Sequence, residues 1–279
     1  MTFSIAARST DGTNWGVAVA SKFLAVGAAV PVARREVGAI ATQAFCNTLY
    51  RRDGLALLSQ GQPAQETLDA LVAADDQRET RQAGIVDSQG GAATWTGSEC
   101  LDWAGGVTGP GYAIQGNILV GAQVIAAMES AWLSGDGQPL AHRLLAALTA
   151  GDAQGGDRRG RQSAALLVVS DTGSYTPGDD VAYDLRVDDH PDPVQELGRL
   201  LELHHIYFDE PAEADLLAVE GDVAAEIERH LTVLDQPSLE TWAGIENYEL
   251  RLKPGKVDRF VLEQLRLQAS QVADIRDRS

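Results

Sequence analysis

A chain of 279 residues, 44% of them hydrophobic, carries enough apolar material for one large or two modest domains that each bury a core without covalent staples. Its 40 acidic against 22 basic residues give a formal net charge of −18, which repels nucleic-acid phosphates and excludes an unaided nucleic-acid backbone binder. Two cysteines, Cys46 and Cys100, with no CxxC and no Cys/His cluster, exclude a disulfide framework and a zinc site and read as small buried hydrophobes, and no run reaches the ~18 apolar residues of a membrane span.

The chain opens on period-two alternation. Residues 3–8 (FSIAAR) and 15–20 (WGVAVA), joined through the turn-rich DGTN, predict a β-hairpin. Further strands are predicted at 26–32, at 37–43 (VGAIATQ), and at 81–87 (RQAGIVD) and 92–96, the last two joined by an SQGG turn. Helical spacing runs over 54–60 and over 64–74 (AQETLDALVAA), with Pro63 at the helix entrance. The longest helical stretch is 118–148, interrupted by the loop SGDGQP at 134–139. The apolar run 163–170 (SAALLVVS) suits a fully buried strand, 183–187 one more, and 194–205 (VQELGRLLELHH) an amphipathic helix ending in His204-His205.

From about Phe208 the texture changes to the acidic, weakly patterned FDEPAEADLLAVEGD, followed by helices at 223–234 and 258–274. The predicted organisation is a main domain over 1–207, an acidic linker over 208–220 and a small helical module over 221–279. Strands, two helices, then strands and a helix describe an α+β layered fold rather than a Rossmann alternation, and the absence of GxGxxG and Walker A sequences removes the common nucleotide-binding readings. The N-terminus has no basic region followed by an uninterrupted apolar run, which predicts a cytoplasmic rather than an exported protein.

The candidate chemistry starts at Thr2. A threonine hydroxyl becomes a nucleophile when a base takes its proton, and the α-amine of the same residue, with an ordinary pKa near ~8, is an economical base. That role requires removal of Met1, which the small side chain at position 2 permits. In TGPGYAIQGN (108–117), the carboxamides of Gln115 and Asn117 and the surrounding backbone N–H groups suit an oxyanion site; the plainer reading is a loop and helix cap in which Asn117 bonds the next turn. Gln43 and Asn47 flank Phe45 at a predicted strand end, polar groups on an apolar element placed to line a pocket.

GGDRRGRQS (155–163) is the one dense basic patch, and the guanidinium forks of Arg158, Arg159 and Arg161 suit a substrate carboxylate or, with equal weight, internal pairing with Asp157, Asp188 or Asp189. Asp188-Asp189-His190 has the groups for metal or acid–base work, but Pro191 and Pro193 make it a rigid lead-in to the next helix. Neither a metal nor a cofactor is expected.

TFSIAAR, the Asp11-Gly12 turn, GVAVASK and AVG ahead of Arg34-Arg35 resemble the start of an N-terminal nucleophile hydrolase, in particular a proteasome β-type subunit. There the terminal threonine begins the first strand and a lysine lowers the pKa of its amine. In this sequence the motif's aspartate position holds Ser21, and the basic role falls to Lys22 or Arg35; a guanidinium stays charged and supplies only field and orientation. A longer resemblance covers almost the whole first 207 residues: SKFLAVGAAVPVAR, GAIATQAFCN, TGSECLDWAG, TGPGYAIQGNIL, GGDRRGRQSAALLVV and LRVDDHPDPVQEL are similar to successive blocks of the bacterial DUF1028 family.

That resemblance implies a four-layer αββα sandwich and amide-bond hydrolysis. Residues 239–266 resemble a short peptidoglycan-binding-like domain, in which Trp242, Tyr248 and Phe260 either form a ligand surface or, as their spacing favours, the core of a small helical unit. The combined expectation is an amidohydrolase cleaving a linear amide bond in a small carboxylate-bearing substrate. It has Thr2 as nucleophile and a small molecule as partner, forms a homo-oligomer, and involves neither nucleic acid nor membrane. The alternative is a non-catalytic binding or assembly protein on the same scaffold.

Overall fold

The computed structural model describes residues 2–171 and 178–277, so the processing of Met1 lies outside the described residues. The chain divides into two compact units, Met1–Leu200 and Leu201–Ser279. It is a mixed α+β protein with nine α-helices among the described residues.

In the first unit β1 (Thr2–Arg8) and β2 (Asn14–Ser21) form the expected hairpin. They lie at the centre of a six-stranded antiparallel sheet with β7 (Gly105–Gly109), β8 (Tyr112–Asn117), β9 (Ser163–Ser170) and β10 (Val181–Val187), in the order β10-β9-β2-β1-β8-β7. A second antiparallel sheet orders β3 (Pro31–Arg34), β4 (Gly38–Ala44), β5 (Arg81–Asp87) and β6 (Ala92–Thr96) as β3-β4-β5-β6. β1 packs against β4 and β5, and β8 against β5, so the two sheets face each other. On the outer side of the larger sheet α5 (Leu140–Ala153) covers β1, β2 and β9, beside α4 (Gln123–Ser134); α2 (Leu49–Leu58) and α3 (Ala64–Ala73) pack on the smaller sheet.

Alternation decides what goes where. Along β4 and β5, Ile40, Ala83 and Ile85 join Tyr50, Leu58, Leu68 and Leu71 beneath the helices. The opposite face, Ala39, Ala41 and Val86, meets Ala6, Val17, Val19 and Ala113 of the larger sheet in an inter-sheet core of small and β-branched side chains.

Two stretches differ from the sequence-based expectation. Residues 26–32, expected as a strand, form a single helical turn, α1 (Val26–Ala29), before β3. Residues 108–117, expected as a loop capping a helix from 118, belong to the hairpin β7-β8, and the helix begins only at Gln123. Glycines at 105, 106, 109, 111 and 116 dilute the strand signal there, and Gly111, at φ +76, supplies the left-handed position of the hairpin turn.

The second unit is not purely helical. α7 (Gly221–Leu234), α8 (Leu239–Ile245) and α9 (Arg259–Asp277) accompany a small sheet of β11 (Leu216–Ala218), β12 (Leu252–Lys253) and β13 (Lys256–Asp258). β11 therefore comes from the stretch read as acidic linker. Trp242 and Tyr248 are buried in this unit's own core with Val257, Val261 and Leu265, and Phe260 packs against it. The Trp242 indole N–H is satisfied by Gln268 Oε1 at 2.8 Å. No helix among the described residues is long and apolar enough to cross a membrane.

Candidate active site at the polar end of the inter-sheet space

Toward the start of β1 the inter-sheet core changes from apolar to polar. On β1 the face that carries Ala6 continues through Ser4 to Thr2; on β8 it continues from Ala113 through Gln115 to Asn117, which is Thr2's register partner. On β4 and β5 it reaches Gln43 and Gln82. All of these polar residues are buried, Thr2 being 6% exposed.

Burial forces their side chains to pair, and they do so as one network. Ser4 Oγ donates to Gln43 Oε1 and accepts from Gln115 Nε2, both at 2.6 Å. Gln43 Nε2 reaches the Thr2 carbonyl at 3.2 Å and Gln82 Oε1 at 2.8 Å. Gln82 is the hub: its Oε1 also accepts from Asn117 Nδ2 at 2.9 Å, while its Nε2 donates to Thr96 Oγ1 at 2.9 Å and to the Gly116 carbonyl at 2.7 Å. The Thr2 hydroxyl lies 3.1 Å from the Ser21 hydroxyl. Ser21, at the position the motif gives to an aspartate, thus touches the candidate nucleophile directly.

The predicted residues sort into those brought together and those kept apart. Thr2, Gln43, Gln115 and Asn117 meet. Asn47 belongs to a different structure: it accepts from the Leu49 N–H at the start of α2 and donates to Asp75 Oδ2 at 2.8 Å. Asp75 in turn pairs with Arg81 at 2.9 Å, both side chains buried, and the Arg81 guanidinium holds the Asp75 carboxyl well below the usual carboxylate range. Lys22 follows Ser21, but its backbone N–H is fixed by Asp157 Oδ2 at 2.8 Å and its exposed ammonium reaches the Arg161 carbonyl at 3.2 Å. Arg35 sits in the β3-β4 turn, at the other end of β4 from Gln43, where its N–H bonds Asp180. It is not positioned to tune Thr2.

Two of the three arginines of the basic patch are engaged. Arg159 pairs with Asp157 at 3.2 Å, and Arg161 with Asp152 at 2.8 Å and Asp192 at 3.1 Å. Arg158 is exposed and makes no ion pair among the described residues. Asp189 accepts from Gln162, and His190 Nδ1 accepts from the Asp192 N–H, so this segment is a turn that leads into α6 (Pro193–Phe208). Among the described residues no three His, Cys, Asp or Glu side chains gather as a metal would need. Cys46 and Cys100 are half-buried rather than buried, and desolvation pushes both thiols up.

The hub, Gln82, escaped the sequence reading. Its signal was a polar side chain in phase with Gly84 and Val86 on a strand that is buried on both faces.

Residues 2–197 match the model of a family described as "Family of unknown function (DUF1028)". Among solved structures, the crystal structure of protein SPO2555 from Silicibacter pomeroyi, assigned to the same family, is similar at 30% identity with a TM-score of 0.65, over 80% of this chain and 92% of that one. Anbu (ancestral beta-subunit) from Yersinia bercovieri matches at 13% identity and a TM-score of 0.34, over 75% of this chain and 98% of its own. No curated protein matches the sequence.

Proposed function

The chain belongs to the DUF1028 family, and from that premise we propose that it is an amidohydrolase that cleaves a linear amide bond in a small carboxylate-bearing substrate, with Thr2 as nucleophile. The observation that carries the reading is the Thr2 hydroxyl, held by Ser21 at the polar end of an otherwise apolar inter-sheet space with Asn117 as its strand partner. A carboxamide N–H₂ has two hydrogens, and Asn117 gives one to Gln82; the second, with no partner among the described residues, suits an oxyanion. With Met1 removed, the Thr2 amine takes the hydroxyl proton as Oγ1 attacks the substrate carbonyl. The resulting ammonium returns that proton to the departing amine as the C–N bond breaks, and water then hydrolyses the threonyl ester. Arg158 is the remaining candidate for the substrate carboxylate.

The facing sheets with helices on both outer sides support the αββα layering of N-terminal nucleophile hydrolases. Exposed Phe23 and Leu24 after β2 and Phe45 after β4 give the Thr2 end an apolar rim that supports homo-oligomer formation. The reading includes a cytoplasmic location and a recruiting or assembly role for the second unit. A peptidoglycan-binding surface is not supported there, because Trp242 and Tyr248 are spent in the core.

The test compares wild type, Thr2→Ser and Thr2→Ala on a panel of N-acyl amino acids and dipeptides. The expected result is turnover by wild type, partial retention in Thr2→Ser and a loss of at least about a thousandfold in Thr2→Ala. Equal turnover in wild type and Thr2→Ala ends the proposal. One observation favours the second reading, a non-catalytic binding or assembly protein: Lys22, the nearest lysine in sequence, directs its ammonium to the Arg161 carbonyl rather than to Thr2.

A further inference from the structure

At the opposite end of β1 from Thr2, about 20 Å away by strand rise, a cavity of about 390 Å³ opens between the end of β1, the β7-β8 turn and the end of α4. Its volume falls within the range of small-molecule sites. Two guanidiniums line it, Arg8 and Arg143, in a chain whose net charge is −18.

Arg143 is 6% exposed. Its guanidinium lies 3.8 Å from the Trp132 ring centroid, its Nη2 donates to the Trp132 carbonyl at 2.9 Å and its Nη1 to Thr10 Oγ1 at 3.2 Å. Its Nε is buried with no hydrogen-bond partner among the described residues. Its ion-pair partner among the described residues, Asp136 at 3.5 Å, is 69% exposed and solvent-screened. Burial disfavours the Arg143 charge.

Arg8 is the second cation. Its guanidinium rests on the Trp15 ring, 5.6 Å from the centroid, and its Nε is likewise buried without a partner among the described residues. It makes no ion pair among the described residues. The nearby Asp11 carboxylate is taken by the Ser9 hydroxyl and by the Thr13 N–H and hydroxyl.

Buried N–H donors left unmade cost free energy, and a guanidinium sets its donors in a planar fork that matches two oxygens of a carboxylate or phosphate. We infer that this cavity is a binding site for a small oxyanion-bearing molecule, a carboxylate or a phosphate, held between Arg8 and Arg143. The site is independent of the Thr2 chemistry.

The test is isothermal titration calorimetry of the full chain at low ionic strength with inorganic phosphate and, separately, succinate, in wild type, Arg8→Ala and Asp136→Asn. Wild type is expected to bind at least one of the two saturably, and the arm that saturates identifies the source of the oxygens. Arg8→Ala is expected to weaken that binding about tenfold or more, and Asp136→Asn, which removes the competing carboxylate, to tighten it several-fold. Absence of saturable binding of both anions in wild type overturns the proposal, as does an unchanged affinity in Arg8→Ala. Should Arg8→Ala fail to fold, Asp136→Asn decides: an affinity equal to that of wild type overturns it. Thr2→Ala is expected to bind the anion as wild type does, which separates this site from the nucleophile.

Discussion

Gln82 shows how much one buried carboxamide can organise. It joins Gln43, Asn117, Thr96 and the Gly116 carbonyl. Replacing it with Ala leaves several of these buried groups unpaired, and Gln82→Ala is expected to lower stability by about 2 kcal/mol or more in urea melts. Asp75 shows a charge acting through a different network. Its carboxyl is held low chiefly by the hydrogen bond from Arg81, so its contribution is fully present above the unfolded carboxylate pKa of ~3.9 and is lost as pH falls toward the depressed folded value. Asp75→Asn strands the buried Arg81 and is expected to cost about 3 kcal/mol at neutral pH. In thermal melts from pH 6 to 2 the gap between variant and wild type is expected to stay constant down to about pH 5 and to narrow below it.

At the scale of elements, strands were legible from turn-bounded strand patterning at 81–87 and 92–96 and from a continuous apolar run at 163–170, and all three are strands over those same residues. The pattern was illegible in β7-β8, where glycines replace the side chains that would mark the faces, and in α1, where small residues give neither period. The candidate site was legible in part for the same reason. Thr2, Gln115 and Asn117 lie in phase on neighbouring strands and Gln43 on the facing sheet, but which strand ends meet is a matter of topology. Arg35, given a role beside Thr2 by the resemblance to the N-terminal nucleophile motif, lies at the far end of β4. The network also sets how closely the strands pack. A Cβ at Gly84 would lie 1.9 Å from Gln115 Oε1, and Gln115 is fully buried and tied to Ser4. Gly84→Ala is therefore expected to destabilise by about 1–3 kcal/mol, as overpacking does, although alanine has the higher strand compatibility; a melt at or above wild type would show that Gln115 moves freely.

For the whole molecule, the two units, Met1–Leu200 and Leu201–Ser279, each bury their own core, where the sequence texture alone suggests a main domain over 1–207, an acidic linker over 208–220 and a helical module over 221–279. The small sheet of the second unit was hidden because strands of two and three residues leave no period to read. The proposed function makes one demand on the whole chain, that position 2 carry a free amine. The most direct measurement is the intact mass of the native protein purified from its own source. The account predicts a chain that begins at Thr2, with Met1 lost; a mass that retains Met1 leaves Thr2 without its base and contradicts the mechanism.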